Sequence, residues 1–435
     1  MSFFHSKSAT DFIPQSMLQE LQWRRLESVL RHTYENVSWY RDRMKKKGIS
    51  PSDIRSLQDI AKLPFIVKTD LRDTYPFGLF AVSMEKIVRL HASSGTTGKP
   101  IVVAYTQNDI DVWKEVVVRS LLCYEVHEGD ILHNAYGYGL FTGGLGLHYG
   151  GEALGVTVIP MSGGNTERQV MLMRDFGVTA FSGTPSYFLH ILDKAHEMGV
   201  DLRDLPIRVG ILGAEPWTQA LRNKIEDGAG IKALDIYGLT EIIGPGVAAE
   251  CHHQGGSHVF EDHFYPEIID PETLEPLPDG QEGELVFSTL TKVGMPLLRY
   301  RTRDITKLIP EPCACGRTIR RMQRISHRSD DMFIIRGVNV FPGQIEAALL
   351  SIEGTVPHYQ IILSRQQGLD EVQVLVELTS EKFSDTIRSL ENLRKTISRK
   401  IESTVGIRVS VRLVEPNSIP RSEGKVKRVQ DLREI

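Results

Sequence analysis

The sequence predicts an α/β protein: a large N-terminal domain of doubly covered, mostly parallel sheets with a small β-barrel-like section, followed by a small α+β C-terminal domain. Three observations predict this. From about residue 107 to 240, short apolar strand-like runs alternate with helix-length pieces, the pattern of βα units that bury a parallel sheet on both faces. From 256 to 309 the runs shorten and are broken at Pro271-Glu272, Pro278-Asp279-Gly280 and Val293-Gly294, as in an antiparallel or barrel-like section. Beyond Arg328-Ser329-Asp330-Asp331 lie about a hundred residues with strand and helix signals of their own, an ordinary size for a domain. The expected domains are therefore 1–329 and 330–435.

Taken in order, Leu18, Leu21, Leu26, Val29, Leu30, Tyr34 and Val37 recur at near-helical spacing, and a helix over 15–47 is expected to close at the basic cluster Lys45–Lys47 and Gly48. Strands are expected at Ile131–Ala135, Val156–Pro160, Val178–Ser182, Ile207–Leu212 and Ile231–Tyr237. Helices are expected at 107–122, 165–176, 185–198 and 216–227. In the last hundred residues the expected elements are a strand at Phe333–Ile335, a helix from Pro342 to Ile352, strands near 358–363 and 371–377, a helix at about 384–403 and a strand at 407–414. No internal repeat or low-complexity segment stands out.

The chain has 435 residues, 41% hydrophobic and 24% charged, enough for more than one core. A net charge of −4 argues against nucleic acid as the main partner. Four cysteines exclude a disulfide framework and suit a reducing cytoplasm. Met1–Phe12 lacks a basic region followed by an apolar core, so no signal peptide is read. The longest charge-free window, Ile131–Gly151, is long enough to span a membrane, but its seven glycines, His133, Asn134 and His148 make a spanning helix a poor fit. A cytoplasmic protein without a membrane partner is expected.

Ser93-Ser94-Gly95-Thr96-Thr97-Gly98-Lys99-Pro100 sets four hydroxyls, two glycines and an ammonium between the apolar runs Ile87–Leu90 and Ile101–Ala104. Glycines let successive N–H groups converge on one anion, and hydroxyls and Lys99 add donors and charge. The stretch is expected to hold phosphates of a nucleotide; a flexible turn between strands is the plainer alternative. It is no Walker loop, since its glycines are too close and Pro100 follows the lysine. Gly213-Ala214-Glu215-Pro216 follows a strand and opens a helix, at the sheet edge where a base can lie. Tyr237-Gly238-Leu239-Thr240-Glu241 offers an aromatic face for a base and Thr and Glu for Mg2+, or equally a strand end with a capping Thr. Tyr300-Arg301-Thr302-Arg303-Asp304 supplies a carboxylate for ribose hydroxyls, or a solvated ion-pair cluster. The basic turn Pro420–Arg428 could carry Lys425 toward developing charge, or simply be an exposed tail.

In that order these motifs resemble the AMP-forming adenylating superfamily of acyl-CoA synthetases, most closely its phenylacetate–CoA ligase branch. Gly-Ala-Glu-Pro-Trp, the run Glu261-Asp262-His263-Phe264 and Arg336-Gly337-Val338-Asn339-Val340-Phe341-Pro342 add to the resemblance, which covers nearly the whole chain. It implies ATP-dependent ligation of an aryl acid, phenylacetate or a close analogue, to coenzyme A through an acyl-adenylate, with release of AMP and pyrophosphate. It further implies Lys425, Glu241 and Arg328 as catalytic residues. Ser93, Ser94, Gly95, Thr96, Thr97, Gly98 and Lys99 would bind phosphates. Gly213, Ala214, Glu215, Pro216, Asp235, Tyr237, Gly238, Thr240, Asp304 and Arg328 would line the rest of the nucleotide. Glu241 would hold Mg2+, Gly337 would meet coenzyme A, and Asp330 would be the hinge of a mobile C-terminal domain. His327 stands where the family commonly has glycine before the arginine. A homodimer is a family-level expectation. Two alternatives remain open: transfer to a carrier-protein thiol or a deazaflavin, and a non-catalytic nucleotide-binding relative.

Two further constellations complete the reading. Tyr136-Gly137-Tyr138-Gly139-Leu140-Phe141 and Gly244-Pro245-Gly246 set rings beside glycines, a slot for a flat apolar group or a glycine-rich core crossing. The resemblance places Tyr136, Phe141, Gly213, Ile236 and Pro245 around the aryl acid. Cys251, Cys313 and Cys315 with one of the histidines that follow Cys251 (His258, with His252 the competing choice) supply three soft sulfurs and an imidazole, a donor set for structural zinc; unlinked thiols near solvated histidines are the alternative. Cys123 reads as core of an apolar helix.

Overall fold

The computed structural model describes residues 5–93, 100–335, 338–352, 355–366, 369–383, 386–420 and 428–433. They cluster into two compact units. The first holds Met1–Gly183, Asp204–Ala214 and Lys232–Ile325, and the second Thr184–Arg203, Glu215–Ile231 and Ser326–Ile435.

The first unit begins with the helices α1 (Gln15–Asn36) and α2 (Ser38–Lys46), where one helix over 15–47 was expected. The break is Val37, whose backbone is extended (φ −112°, ψ 104°) and whose side chain is buried. A β-branched residue gives up helical geometry cheaply, and here it gains core contact. A short helix α3 (Lys68–Asp73) precedes the antiparallel hairpin β1 (Arg89–Ala92) and β2 (Val102–Tyr105). Next come α4 (Gln107–Cys123), β3 (Ile131–Asn134), α5 (Gly143–Leu154), β4 (Thr157–Ile159), α6 (Thr166–Asp175) and β5 (Ala180–Gly183). Thr106 caps α4 reciprocally: its Oγ1 accepts from the Asp109 N–H, and Asp109 accepts from the Thr106 N–H at 2.8 Å.

Helix α5 was not expected, because glycine is a poor helix former. Its glycines are there to let α5 lie against α4. A Cβ at Gly146 would come within 2.7 Å of Trp113, and one at Gly150 would overlap Val117.

The strands β6 (Val209–Gly213), β7 (Lys232–Leu239), β8 (Gly244–Glu250) and β9 (Ser257–Val259) extend the same sheet. After β10 (Phe264–Ile269), β11 (Gly283–Thr289) and β12 (Tyr300–Thr306), the short strands β13 (Leu308–Ile309) and β14 (Arg321–Met322) return to it. The nine-stranded order is β13-β14-β9-β8-β7-β6-β5-β3-β4. The run from β4 to β7 is parallel, as the βα alternation predicted, and the run from β7 to β13 is antiparallel. Strands β10, β11 and β12 form a separate antiparallel sheet.

In the second unit, α7 (Pro185–Glu197) starts at the Thr184 cap and α8 (Gln219–Ala229) ends at Gly230 in the left-handed region, φ 68°. Then follow β15 (His327–Arg328), the hairpin β16 (Phe333–Ile335) and β17 (Val338–Val340), and α9 (Pro342–Leu350). Strands β18 (Thr355–Gln366) and β19 (Leu369–Leu378), the short α10 (Ser380–Phe383), α11 (Ile387–Val405), β20 (Ser410–Val414) and β21 (Val429–Asp431) complete it. The sheet order is β20-β19-β18-β21, and α9 and α11 bury Ile345, Leu349, Ile397 and Ile401 in its core. This matches the expected α+β unit, with α11 starting a turn later than expected, at the Thr386 cap.

Candidate active site

The carboxyl ends of β3, β6 and β7 bring several predicted residues together in the first unit. Gly213 ends β6 opposite Ile236 of β7, and any Cβ there would overlap the Ile236 carbonyl. Ala214 follows with φ 69°, a left-handed backbone that turns the chain sharply out of the sheet. Asp235 donates its N–H to Glu250 (3.0 Å) and its carbonyl receives the Tyr124 hydroxyl (3.0 Å). Gly238 faces Pro245 where the β7–β8 register shifts, so backbone replaces side chain at that crossing.

Tyr237 and Asp304, from motifs 60-odd residues apart, meet directly: the phenol donates to the Asp304 carboxylate at 2.5 Å. Asp304 is buried, as are the other residues of its strand except Arg303, which is half-buried. The Tyr-Arg-Thr-Arg-Asp stretch is thus not a solvated cluster. Arg301 grips the buried Glu284 through two bonds (3.0 and 2.6 Å), Arg303 reaches the same carboxylate at 3.4 Å, and Asp304 alone of the charged residues joins Tyr237.

Thr240 and Glu241 form the turn after β7. The Thr240 hydroxyl lies 3.2 Å from that of Thr142, at the start of α5, and buried Glu241 has the Lys68 ammonium at 3.9 Å. Lys292 donates to the carbonyls of Glu241 (3.2 Å) and Ile242 (2.6 Å). Burial pushes the Lys292 ammonium down to about 8, although Asp109 and Glu241 pull the other way.

The aromatic loop starts at Asn134, which no motif singled out. Its amide donates to the Gly144 carbonyl and the Tyr138 hydroxyl (both 2.8 Å) and accepts from Ser182 (3.0 Å). A buried asparagine ending an apolar strand was the available signal. Tyr136 is buried and Phe141 partly exposed, and both flank Gly143, where a Cβ would meet the Phe141 ring at 2.6 Å. Pro245 sits over Gly146, its carbonyl held by Trp113 Nε1 at 2.9 Å. Tyr136, Phe141, Gly213, Ile236 and Pro245 all belong to the first unit.

Ser93 closes the β1–β2 hairpin by donating to the Ile101 carbonyl (3.0 Å). Ser94, Gly95, Thr96, Thr97, Gly98, Lys99, Gly337 and Lys425 lie outside the described residues. Glu215, Pro216, Arg328 and Asp330 belong to the second unit. There Glu215 accepts from the Ser186 N–H at the start of α7 (2.8 Å), a favourable place for a carboxylate. Arg328 forms a two-bond pair with Asp330 (2.9 and 3.0 Å), so the predicted nucleotide arginine and the predicted hinge residue engage each other. His327 packs against Phe341 with ring centres 4.0 Å apart and planes tilted by 49°.

Cys251, His258, Cys313 and Cys315 converge at the antiparallel edge of the large sheet, all buried, with ligand atoms within 4.8 Å of one another. The Cys251–Cys313 sulfurs are 3.6 Å apart, and Cys315 Sγ is 3.3 Å from His258 Nε2. A tetrahedron with Zn–S bonds of 2.3 Å has edges of about 3.8 Å, so the donor set fits zinc. His258 Nδ1 donates to the Ile319 carbonyl (3.4 Å), leaving Nε2 for a metal. His252 faces Glu125 (3.0 Å) and packs on His253 instead.

Glu115, Asp262 and His263 also lie close enough to suggest a metal, but cations already occupy them. Arg119 binds Asp262 (3.0 and 2.8 Å) and Asp11 (2.8 Å), and Arg317 reaches Asp11 at 3.2 Å. Burial opposes charge on His263, yet Asp262 and Glu115 raise its imidazole above the ordinary value. Glu261-Asp262-His263 is therefore an internal ion-pair network.

The sequence model of the AMP-binding enzymes matches residues 31–291, and that of the AMP-binding enzyme C-terminal domain matches 337–433. The phenylacetate–coenzyme A ligase of Thermus thermophilus is 52% identical, covering 97% of this chain and 98% of that protein. The Escherichia coli phenylacetate–coenzyme A ligase is 53% identical, covering 96% and 95%. A crystal structure of 2-hydroxyisobutyryl-CoA ligase in its postadenylation state superposes with a TM-score of 0.91 at 28% identity, covering 97% of this chain and 90% of that one. Its thioesterification-state structure gives 0.72 at 29%, covering 97% and 91%. The chain belongs to the AMP-binding enzyme family, in the branch of the phenylacetate–coenzyme A ligases.

Proposed function

We propose that this protein ligates phenylacetate, or a close aryl analogue, to coenzyme A at the expense of ATP. The observation that carries this reading is identity above half to two phenylacetate–coenzyme A ligases over nearly the whole chain. In the first half-reaction the acid's carboxylate oxygen attacks the α-phosphorus of ATP, the bond to the bridging oxygen breaks, and pyrophosphate leaves. In the second, the coenzyme A thiol loses its proton and attacks the acyl carbon, and AMP departs.

In this reading Tyr136, Phe141, Gly213, Ile236 and Pro245 surround the aryl group. Ser93 through Lys99 hold the departing pyrophosphate, Gly213–Pro216, Asp235, Tyr237, Gly238 and Thr240 flank the base and sugar, and Asp304 grips the ribose. Glu241 would hold Mg2+, which when bound neutralises phosphate charge. Lys425 would sit between the acid carboxylate and the α-phosphate, where an ammonium helps only as negative charge accumulates. Arg328 would contact the nucleotide, Asp330 would be the pivot between domains 1–329 and 330–435, and Gly337 would meet coenzyme A.

ATP, coenzyme A and phenylacetate should yield AMP, pyrophosphate and phenylacetyl-CoA, and Lys425→Ala should lose pyrophosphate release. Unchanged thioester formation without that lysine overturns the mechanism. Absence of product from phenylacetate and every aryl analogue overturns the activity.

The four buried donors at the sheet edge support structural zinc at Cys251, His258, Cys313 and Cys315, tested by metal analysis of the purified protein: one zinc per chain is expected, lost in Cys315→Ser. A homodimer in the cytoplasm belongs to the same proposal, and sedimentation tests the dimer. Among the described residues no helix is long and apolar enough to cross a membrane.

A further inference from the structure

Four buried side chains that no motif contains meet between the two loops of the site: His91 on β1, Tyr105 on β2, Trp113 on α4, and Lys292 after β11. The Tyr105 and Trp113 rings stack with centres 5.3 Å apart, His91 meets both edge-on at 5.4 and 5.6 Å, and the Lys292 ammonium lies 4.7 Å from the Tyr105 ring centre.

Each of the four donates to a main-chain carbonyl of a site loop. His91 Nδ1 reaches Leu140 O at 3.0 Å, beside the Ala92 N–H on the same oxygen at 3.1 Å. Trp113 holds Pro245 O, the Tyr105 hydroxyl holds Ile243 O at 3.0 Å, and Lys292 holds Ile242 O and Glu241 O. The chain turns between β7 and β8 there, and buried carbonyls outside a ladder need partners. A neutral donor could satisfy these carbonyls without the cost of burying an ammonium, so carbonyl pairing alone does not account for a charged residue at this position. What the four donors share is their targets. One end fixes Leu140 and Pro245, beside Phe141 and within the acid pocket; the other fixes residues 241–243, with the magnesium ligand.

We infer that His91, Tyr105, Trp113 and Lys292 form one positioning cluster that sets the acid loop and the magnesium loop in register, His91 acting on the acid side and Lys292 on the metal side. This rests on the assignment of Phe141 and Glu241 proposed above.

The test is pyrophosphate release, measured against acid and against Mg2+, with Tm followed in parallel. His91→Phe keeps a ring but loses the bond to Leu140. It should raise KM for phenylacetate about tenfold, the worth of one hydrogen bond, and change the Mg2+ requirement less than about twofold. Lys292→Met should raise the Mg2+ concentration for half-maximal rate by about tenfold and spare the acid KM, whatever Tm change follows from the two carbonyls left without their donor. Should Lys292→Met not fold, Lys292→Gln retains a donor and should show the same Mg2+ shift in weaker form.

A fall in Tm with both substrate dependences unchanged would mean packing only and overturns the proposal; so does an equal shift of both dependences in each variant. Phe141→Ala and Glu241→Gln separate the two failures. If they move the acid and Mg2+ dependences while His91→Phe and Lys292→Met do not, the cluster alone is refuted. If they move neither, the site assignment falls and takes the cluster with it.

Discussion

Arg119 and Lys292 are both cations sealed from water, with 0% and 2% of their surface exposed, and they are held in opposite ways. Arg119 lies between the carboxylates of Asp11 and Asp262, each also touched by a second cation. Among the described residues Lys292 has no carboxylate within 4.0 Å, only carbonyl oxygens and a ring face. The first arrangement sets each carboxylate between cations and is held by its own members. The second keeps an ammonium beside Glu241 without a direct ion pair among the described residues. Helix α4 carries Trp113 at one point and Arg119 six residues on, so a single rigid element spans the clamp and the site. The lesson is that burial does not mark a functional charge; the kind of partner does.

The largest expected effect breaks the clamp. Arg119→Met leaves Asp11 and Asp262 buried without their shared cation and should cost about 3–5 kcal/mol, read as a fall in the urea midpoint, with KM values of the folded enzyme unchanged. Altered KM values instead would show that the clamp reaches the site. Next, Glu241→Gln should lower kcat/KM for Mg·ATP by about a hundredfold with Tm nearly constant, the reverse signature. Gly150→Ala lies between the two: the new methyl presses on Val117, between Trp113 and Arg119 on the same helix, and should cost about 1–3 kcal/mol while raising acid KM. A stability loss with constant acid KM would separate helix packing from the pocket.

The smallest effect is a matter of pH. The folded-state pKa of His263 is raised, so its stabilising contribution is present below the unfolded value near 6.5 and fades as pH rises through the folded value. The stability gap between wild type and His263→Gln should therefore be wider at pH 6 than at pH 9 in urea titrations. Lys292 has the opposite sign. Its folded pKa is lowered to about 8, so its cost is present at neutral pH and relieved from about 8 toward the unfolded value near 10.4. Any stability advantage of Lys292→Met should shrink over that range. A wild-type-minus-variant stability difference that changes with pH in the same sense for both residues would refute the contrast.

The parallel half of the large sheet was legible because βα units announce themselves by period and length, and the ordered motifs located Tyr237, Asp304 and Glu241. Their contact across two sheets was not legible, since it depends on the bulge at Arg303 (φ 69°). Cys251, His258, Cys313 and Cys315 could be grouped from their residue types alone. Helix α5 was hidden because its glycines serve packing against Trp113 and Val117, which propensity does not encode. The partners of Asp262 were hidden for another reason: Arg119 and Arg25 are remote in the chain, two among 51 basic residues. Lys292 stands just before the Val293-Gly294 turn that the sequence marks, but no pattern singles out the lysine itself.

The Asp11–Arg317 pair joins residues 306 positions apart. At synthesis rates of about 5–20 residues per second, roughly 15–60 s separate the emergence of the two partners from the ribosome. During that interval Asp11 and the turn Ser6–Phe12 can meet α4 and Arg119 but lack the Arg317 half of their fastening. The first-made segment of the first unit is therefore among the last to be locked, and a pause in translation before Arg317 would lengthen the time it spends open to proteases.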